Sequence, residues 1–196
     1  MALHSFRTED LPATPWKNGG GTTREIVCQP PGAGMDGFDW RVSIASIAAA
    51  GPFSAFAGVD RVIMLLGGDG VHLRAPAHGV DHPLDTPLQP FAFAGDVALG
   101  CDLLGGASTD FNVMTRRGKV TADVSVLRAA GLVAPRPAGV VLAVGGAWRL
   151  DVDGVSTLVD NGAGAWWQAA MPGLRATPLD AGAALVVVRI DVENRR

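Results

Sequence analysis

The 196-residue chain is long enough to bury a sizeable core, as one large domain or two small ones, and its 48% hydrophobic and 18% charged residues exclude a disordered protein. A formal net charge of −3 gives no basic surface for nucleic acid, and no apolar run has the length of a bilayer span. Because the N-terminal residues do not have the charged-then-apolar order of a secretory signal, and Cys28 and Cys101 are far apart, we expect a cytoplasmic protein with free thiols.

Short apolar segments, each bounded by glycine, proline or another turn residue, follow one another along the chain. In the first part they are REIVCQ (24–29), FDWRVSIASI (38–47), RVIMLLGG (61–68), GVHLRA (70–75), PFAFAG (90–95), VALGCDLL (97–104) and DFNVMTRRG (110–118). Later come VSVLRA (124–129), GVVLAVGG (139–146), WRLDVDG (148–154), VSTLVD (155–160), GAWWQAA (164–170) and AALVVVRIDV (183–192). Many strand-sized segments between turn signals are typical of a sandwich or barrel, so we predict an all-β fold with little helix.

Two of these regions have the same pattern. Residues 62–73 read VIMLLGGDGVHL and residues 140–150 read VVLAVGGAWRL, so each has an apolar strand, a Gly-Gly turn and a second strand ending in leucine. We interpret each region as a β-hairpin and the pair as two copies of one small β-module. Later glycine turns before apolar residues, FAGDVALG (93–100) and DAGAALVV (180–187), agree with this interpretation.

Five blocks in this order resemble the HutD/Ves family: PWKNGGGTTREI (15–26), FDWRVSIASI (38–47), GPFSAFAGVDRVIMLLGGDGVHL (51–73), PFAFAGD (90–96) and DFNVMTRRG (110–118). The resemblance implies two cupin-like jelly-roll barrels in one chain, a bicupin, with a link to histidine utilisation or, in the Ves branch, to stress responses. We accordingly predict an N-terminal cupin-like barrel over residues 1–127 that carries the ligand site. A second, smaller cupin-like module is expected over residues 128–196, with strands exchanged between the two.

Residues suited to metal binding or nucleophilic catalysis are sparse in the sequence. Many cupins hold a metal through two histidines one residue apart, but here His72, His78 and His82 are separated by a loop that contains Pro76 and Gly79. No serine has a Gly-x-Ser-x-Gly context, and neither glycine-rich stretch opens a helix as a phosphate loop would. We therefore predict no metal and no cofactor.

Polar residues inside two predicted strands indicate a lined cavity. Period-two alternation places Arg41 and Ser43 on the face opposite Trp40 and Val42, and it places Asp110 and Asn112 together on a face of their own strand. A solvent-exposed face is the alternative. Short amides, hydroxyls and arginine are less typical of such a face than lysine and glutamate, and the mouth of a β-barrel is a common ligand site.

The stretch PWKNGGGTTREI supplies the remaining candidates. Lys17 and Asn18 offer donors beside three glycines that allow a ligand to approach the backbone closely, and Trp16 and Trp40 suit a core or a cavity wall. A donor-rich set of this kind fits a small carboxylate, which arginine can bind through two hydrogen bonds. The predicted ligand-binding residues are Lys17, Asn18, Gly19, Gly20, Thr22, Arg41, Ser43, Arg61, Asp110 and Asn112.

Three functions remain open from the sequence. The first is a metal-free cupin that binds a small anionic metabolite, with formylglutamate as the ligand that the family resemblance implies and a regulatory or flux-limiting role. The second is a metal-independent isomerase or hydrolase, with Lys17 and either Asp110 or Glu25 as an acid/base pair. The third is a structural or protein-interaction module. The oligomeric state is open between a monomer and a homodimer.

Overall fold

The computed structural model describes residues 3–193, and β-strands account for most of its regular structure. In chain order the strands are β1 His4–Arg7, β2 Ala13–Pro15, β3 Gly21–Gln29, β4 Trp40–Ile47, β5 Gly51–Phe53, β6 Val59–Gly68, β7 Val71–Ala75, β8 Val80–Leu84, β9 Phe91–Ala94, β10 Leu99–Leu103, β11 Ser108–Arg116, β12 Val120–Leu127, β13 Gly131–Val133, β14 Ala138–Val144, β15 Trp148–Val152, β16 Val155–Val159, β17 Ala163–Trp167, β18 Leu174–Pro178 and β19 Ala184–Val192.

Helical structure within the described residues is short. One α-helical turn, α1, covers Gly34–Gly37, and two 3-10 turns cover Thr8–Asp10 and Pro76–His78. None of these helices has the length or the apolar character needed to cross a bilayer. The predicted all-β class with little helix is confirmed.

The chain divides into two compact units, each made of two antiparallel sheets. The N-terminal unit, residues 12–119, has a six-stranded sheet in the order β2-β3-β4-β11-β6-β9 and a four-stranded sheet in the order β5-β10-β7-β8. The C-terminal unit, residues 3–11 with 120–193, has a five-stranded sheet in the order β1-β17-β14-β19-β12 and a four-stranded sheet in the order β13-β18-β15-β16.

The boundaries of these units differ from the predicted division after residue 127. Strand β12 pairs along its whole length with β19, so the division falls after residue 119. The first strand, β1, pairs with β17 and therefore belongs to the C-terminal unit. Pairing between strands that are distant in the sequence decides both boundaries.

The same strand order occurs in both units. In the N-terminal unit β4-β11-β6-β9 lie side by side, and in the C-terminal unit the order is β12-β19-β14-β17. The second sheets correspond in the same way, as β5-β10-β7-β8 and β13-β18-β15-β16. The repeated segments 62–66 and 140–144 lie in β6 and β14, which hold equivalent positions in this order.

The prediction that each repeat forms a Gly-Gly hairpin is wrong. Strand β6 pairs with β11 and β9, whereas β7 pairs with β10 and β8, so the chain passes from one sheet to the other at this turn. In the second repeat, β14 pairs with β17 and β19, whereas β15 pairs with β16 and β18. The physical reason lies at Gly68, which has φ +91° and packs so closely that a Cβ there would overlap the carbonyl oxygen of Ala107. Glycine adopts such a left-handed backbone conformation readily, so the chain can change direction at this position.

Alternating residues of the six-stranded sheet position the candidate site. Ile63 and Leu65 of β6, with Ile47 of β4, join a buried apolar cluster that includes Leu73 and Cys101 of the four-stranded sheet. Since every second residue of a strand points to the same face, the residues that continue β4 and β6 away from this cluster face the same interior. On β4 these are Ser43 and Arg41, and on β6 it is Arg61. The interior face of the six-stranded sheet is therefore apolar at one end, where the cluster lies, and polar at the other.

Candidate functional site

The N-terminal unit contains a cavity of about 610 Å³. Its floor is the face of the six-stranded sheet described above, and its walls come from β2, the segment after it, and residues 52–56. The polar residues that line it are Thr14, Lys17, Asn18, Thr23, Arg41, Ser43, Ser54, Arg61, Asp110 and Asn112. This volume is that of a small-molecule site.

Strand register places two arginines in one row of the cavity floor, where a row is a set of residues that lie opposite one another on neighbouring strands. Met114 of β11 lies opposite Arg41 of β4 on one side and opposite Arg61 of β6 on the other. Because neighbouring strands are separated by about 4.8 Å, the two arginine Cα atoms lie about 10 Å apart. Two cationic side chains therefore converge on one end of the cavity.

Two further rows continue the floor along β11. Asn112 lies opposite Ser43, and Asp110 lies opposite Ala45, both of β4. From Met114 to Asp110 the strand advances about 13 Å. Along β11 from Met114 to Asp110, the cavity floor thus presents first the two arginines, then the amide of Asn112 with the hydroxyl of Ser43, and finally the carboxyl group of Asp110.

Arg41 already has an anionic partner. Its Nε donates a hydrogen bond to Glu25 Oε2 at 2.6 Å, and its Nη1 lies 3.4 Å from Ser43 Oγ. The Arg41 residue is 8% exposed, whereas the Glu25 side chain is 48% exposed. The ion pair is therefore partly solvated, and water or a ligand can compete for it.

Arg61 is buried among aromatic rings. Its guanidinium carbon lies 5.0 Å from the ring centre of Phe93, 5.5 Å from that of Phe53 and 5.7 Å from that of Phe56. The residue is 6% exposed, and within residues 3–193 its Nε has no hydrogen-bond partner and no carboxylate forms a salt bridge with it. Burial, with a smaller contribution from the charge of Arg41, lowers the pKa of Arg61 to about 10, so it remains a cation at neutral pH.

Asp110 lies at the other end of the floor with no exposed surface. Neither of its carboxyl oxygens has a hydrogen-bond partner in the described part of the chain, and the same holds for Asn112 Oδ1. Burial raises the pKa of Asp110 to about 7, so the neutral and ionised forms are both populated near neutral pH. Asp110 and Asn112 therefore line the cavity with buried polar atoms that no group of the described chain satisfies.

The NGGG stretch forms a wall of the cavity. Trp16 Nε1 donates to Thr23 Oγ1 at 2.7 Å, and Asn18 Oδ1 accepts a hydrogen bond from the backbone N–H of Gly20 at 3.0 Å. Gly21 packs so closely that a Cβ there would overlap the carbonyl oxygen of Ser46. The glycines thus hold the wall against β4, with Lys17 and Asn18 on the cavity side.

Most of the predicted site residues lie around this one cavity, and three do not. The cavity lining includes Lys17, Asn18, Arg41, Ser43, Arg61, Asp110 and Asn112. Gly19, Gly20 and Thr22 are absent from it. Thr22 lies opposite Ser46, whose side chain points away from the cavity, and the neighbouring Thr23 lies opposite Ala45 and faces inward.

The aromatic residues around Arg61 were not predicted. Phe53 ends β5, Phe56 lies in the segment after it, and Phe93 of β9 lies opposite Arg61 of β6. The only signal in the sequence is the aromatic content of GPFSAF (51–56) and PFAFAG (90–95). The aromatic content of these stretches does not indicate that their rings surround Arg61.

The donor set of the cavity does not fit a metal ion. The described residues contain no group of three or more His, Cys, Asp or Glu side chains that could hold one, and the cavity lining has Asp110 as its single carboxylate beside two guanidinium groups. The histidines lie elsewhere: His72 Nε2 is 2.6 Å from Asp81 Oδ1, the ring of His82 stacks on Phe91, and His78 ends a 3-10 turn. Two cations beside a lone carboxyl favour an anion over a divalent cation.

Comparison of the sequence with known proteins gives consistent matches. A model of the HutD family matches residues 8–186. An uncharacterized 21.2 kDa protein in the hutC 3′ region of Pseudomonas putida is 49% identical over 115 residues, a match that spans 57% of this chain and 57% of that protein. Protein Ves of Cronobacter sakazakii is 39% identical over 167 residues, covering 85% of this chain and 87% of that protein.

Solved structures show the same similarity in three dimensions. The structure of HutD from Pseudomonas fluorescens SBW25, described as a formate condition, has a TM-score of 0.82 and 30% identity and covers 98% of this chain and 100% of that chain. A cupin 2 conserved barrel domain protein from Leptotrichia buccalis has a TM-score of 0.56 at 12% identity, covering 98% of each chain. This second likeness shows that the fold is cupin-like.

Proposed function

The chain belongs to the HutD family, and on that premise we propose that it binds a small carboxylate metabolite in the cavity of its N-terminal unit. The proposal includes no metal, because the polar groups around the cavity are suited to an anion. We further propose a two-module cupin architecture, supported by the shared strand order of β4–β11 and β12–β19. The C-terminal unit would then be mainly structural, and its interior is filled by apolar residues such as Trp148, Trp167 and Leu150.

The observation that carries the proposal is the environment of Arg61. A buried cation without an anionic partner is costly, and an isolated one costs several kcal/mol. Among the described residues, Glu25 neutralises Arg41, but no carboxylate neutralises Arg61. A ligand carboxylate can accept two parallel hydrogen bonds from a guanidinium, and the surrounding phenyl rings exclude the water that would weaken them.

We propose the metabolic role by analogy with the relatives. One relative is described by its position in the hutC 3′ region, which agrees with a link to histidine utilisation. A formylglutamate-like ligand carries two carboxylates and an amide-like group, and the cavity offers arginine to a carboxylate and Asn112 with Ser43 to the amide-like group. We propose that binding senses or limits flux through the pathway.

Isothermal titration calorimetry of the full chain with N-formylglutamate and the other intermediates of histidine degradation tests this proposal. We expect saturable binding by at least one of them, and weaker binding by an Arg61→Gln variant. The control is Arg149→Gln, which changes an exposed arginine of β15 in the other unit. Absence of binding by every intermediate would contradict the assignment to this pathway.

A second candidate function is supported by Asp110. A metal-independent isomerase or hydrolase needs a group that exchanges protons near neutral pH, and burial gives Asp110 a pKa of about 7 in a cavity that Lys17 also lines. Proton NMR of N-formylglutamate with stoichiometric protein would detect turnover. Product formation that is lost in Asp110→Asn but retained in Asp102→Asn would favour catalysis, and an unchanged spectrum would favour binding alone.

A further inference from the structure

We propose that Asp110 acts in its neutral form as a hydrogen-bond donor to a second carboxylate of the ligand, so that the cavity selects dicarboxylates and takes up a proton when one binds. This inference rests on the proposed function, because it assigns the first carboxylate of the ligand to Arg61. It adds a second anchoring point and a specific role for the carboxyl group at the far end of the floor.

The position of Asp110 separates it from the arginines. It lies two rows away from Arg41 and Arg61 along β11, and within residues 3–193 no salt bridge joins it to either of them. Its neighbour across the sandwich is Cys101 of β10, whose pKa is raised to about 12 by burial and then by Asp110 and Asp102. Asp110 therefore lies at the end of the cavity floor that is nearest the apolar cluster containing Cys101.

The groups that face Asp110 do not favour its ionised form. Cys101 of β10 is a neutral thiol at this pKa, and Leu65 of β6 and Ala45 of β4 carry no charge. The cations that line the same cavity are Arg41 of β4, Arg61 of β6 and Lys17 of the segment after β2, and none of them pairs with Asp110 in the described structure.

A neutral carboxyl group in this position has one donor that needs an acceptor. Both Asp110 oxygens lack a partner in the described chain, so the protein itself does not satisfy this donor. A ligand carboxylate would accept a short, charge-assisted O–H···O hydrogen bond there. An ionised Asp110 would instead repel it, because two carboxylates in one site do not both remain ionised.

Proton uptake follows from this arrangement. The negative charge of the ligand stabilises the protonated form of Asp110 and raises its pKa further. At a pH above the value of about 7 in the free protein, binding of a dicarboxylate must then add a proton to Asp110. A monocarboxylate that is held at the arginine end would not require this proton.

Two probes of equal chain length separate the two ends of the site: glutarate, with two carboxylates, and pentanoate, with one. Each is titrated into the full chain by calorimetry between pH 6 and 9, in buffers of different ionisation enthalpy. For glutarate we expect uptake of close to one proton at pH 8 and an affinity that falls nearly tenfold per pH unit above about pH 8. For pentanoate we expect little uptake and little dependence on pH.

An Asp110→Asn variant gives a second readout, because its amide N–H can donate the same hydrogen bond without titrating. We expect glutarate affinity at pH 6 to stay within a few-fold of wild type, with the pH dependence removed. Glutarate binding without proton uptake by the wild-type protein would overturn the inference even if this variant did not fold. If neither probe binds, the proposed carboxylate site fails, whereas binding that depends on Arg61 but not on pH leaves that site intact and rejects only the role of Asp110.

Discussion

Arg41 and Arg61 lie in the same row of the six-stranded sheet and face the same cavity, but among the described residues only Arg41 is paired with a carboxylate. The two cations consequently differ in their environment. Arg41 is balanced by Glu25 at the edge of the cavity, and Arg61 is held in a ring of phenyl groups with its charge available. This difference leads to separate expectations for variants of the two residues.

Replacing Arg61 should affect binding much more than stability. We expect Arg61→Gln to weaken binding of a carboxylate ligand by about 2–5 kcal/mol, because the ligand anion loses its buried partner. The free energy of unfolding should change little or rise, since an unpaired buried cation is removed. Calorimetry and urea denaturation measure the two effects.

Arg61→Lys provides the matched comparison. An ammonium group keeps the charge but cannot form the two parallel hydrogen bonds of a guanidinium, so only part of the affinity should return. An Arg61→Gln protein that unfolds at lower urea and still binds normally would show that Arg61 is a structural residue.

Glu25 would compete with the proposed ligand for Arg41. We expect Glu25→Gln to raise ligand affinity a few-fold, because the second guanidinium is then free to attract the anion. Because the Glu25 side chain is half exposed, the free energy of unfolding should fall by less than about 1 kcal/mol. Arg41→Ala should weaken binding, though less than replacement of Arg61. Unchanged affinity in Glu25→Gln would mean that Arg41 does not take part in binding.

Asp110 should make stability depend on pH. An aspartate in the unfolded chain titrates near pH 4, and burial raises the pKa of Asp110 in the folded protein to about 7. Between these values the folded state holds a proton that the unfolded state has lost, so the contribution of Asp110 to the free energy of unfolding falls as pH rises from about 4 to 7. Asp110→Asn should therefore be more stable than wild type at pH 8, by up to about 4 kcal/mol, and similar to it at pH 4.

The control for this experiment is Asp102→Asn, which changes an exposed carboxylate that pairs with Arg74. Urea denaturation at both pH values should show no comparable gain for this variant. Equal stability of wild type and Asp110→Asn at pH 8 would show that Asp110 is ionised at no cost in the folded protein.

The turn between β6 and β7 offers a direct test of the crossing between sheets. Gly68 has φ +91° and its Cβ position is occupied by the backbone around Ala107, so we expect Gly68→Ala to lower the free energy of unfolding by roughly 1–3 kcal/mol or more. Gly67→Ala is the control, because a Cβ at Gly67 meets no atom within 4 Å. Comparable losses in the two variants would contradict the packing described for Gly68.

Alternation within single strands predicted much of the site. The pairs Arg41 with Ser43 and Asp110 with Asn112 were placed on common faces because the side chains of a strand alternate with period two. Whether Thr22 or Thr23 faces the cavity depends on the register between β3 and β4, which contains an irregularity between Glu25 and Val27. Such irregularities are not visible in the sequence.

The remaining features depend on contacts between distant strands. The phenyl rings around Arg61 come from two separate parts of the chain, residues 53–56 and β9, and no local pattern connects the two. A Gly-Gly pair indicates a turn, but it does not indicate whether the next strand stays in the same sheet. The hairpin prediction at residues 62–73 was wrong for that reason. The repeat itself is larger than the two sequence segments that suggested it, because the strand order of both sheets is the same in the two units.

The pairing of β1 with β17 has a consequence for the synthesis of this protein. His4 lies opposite Trp166, so β1 is synthesised roughly 160 residues before the strand with which it pairs. The N-terminal unit can fold in that interval, because its strands pair among themselves. The five-stranded sheet is completed last, and a chain that lost β1 would leave the backbone of β17 as an open edge, the kind of surface through which β proteins associate.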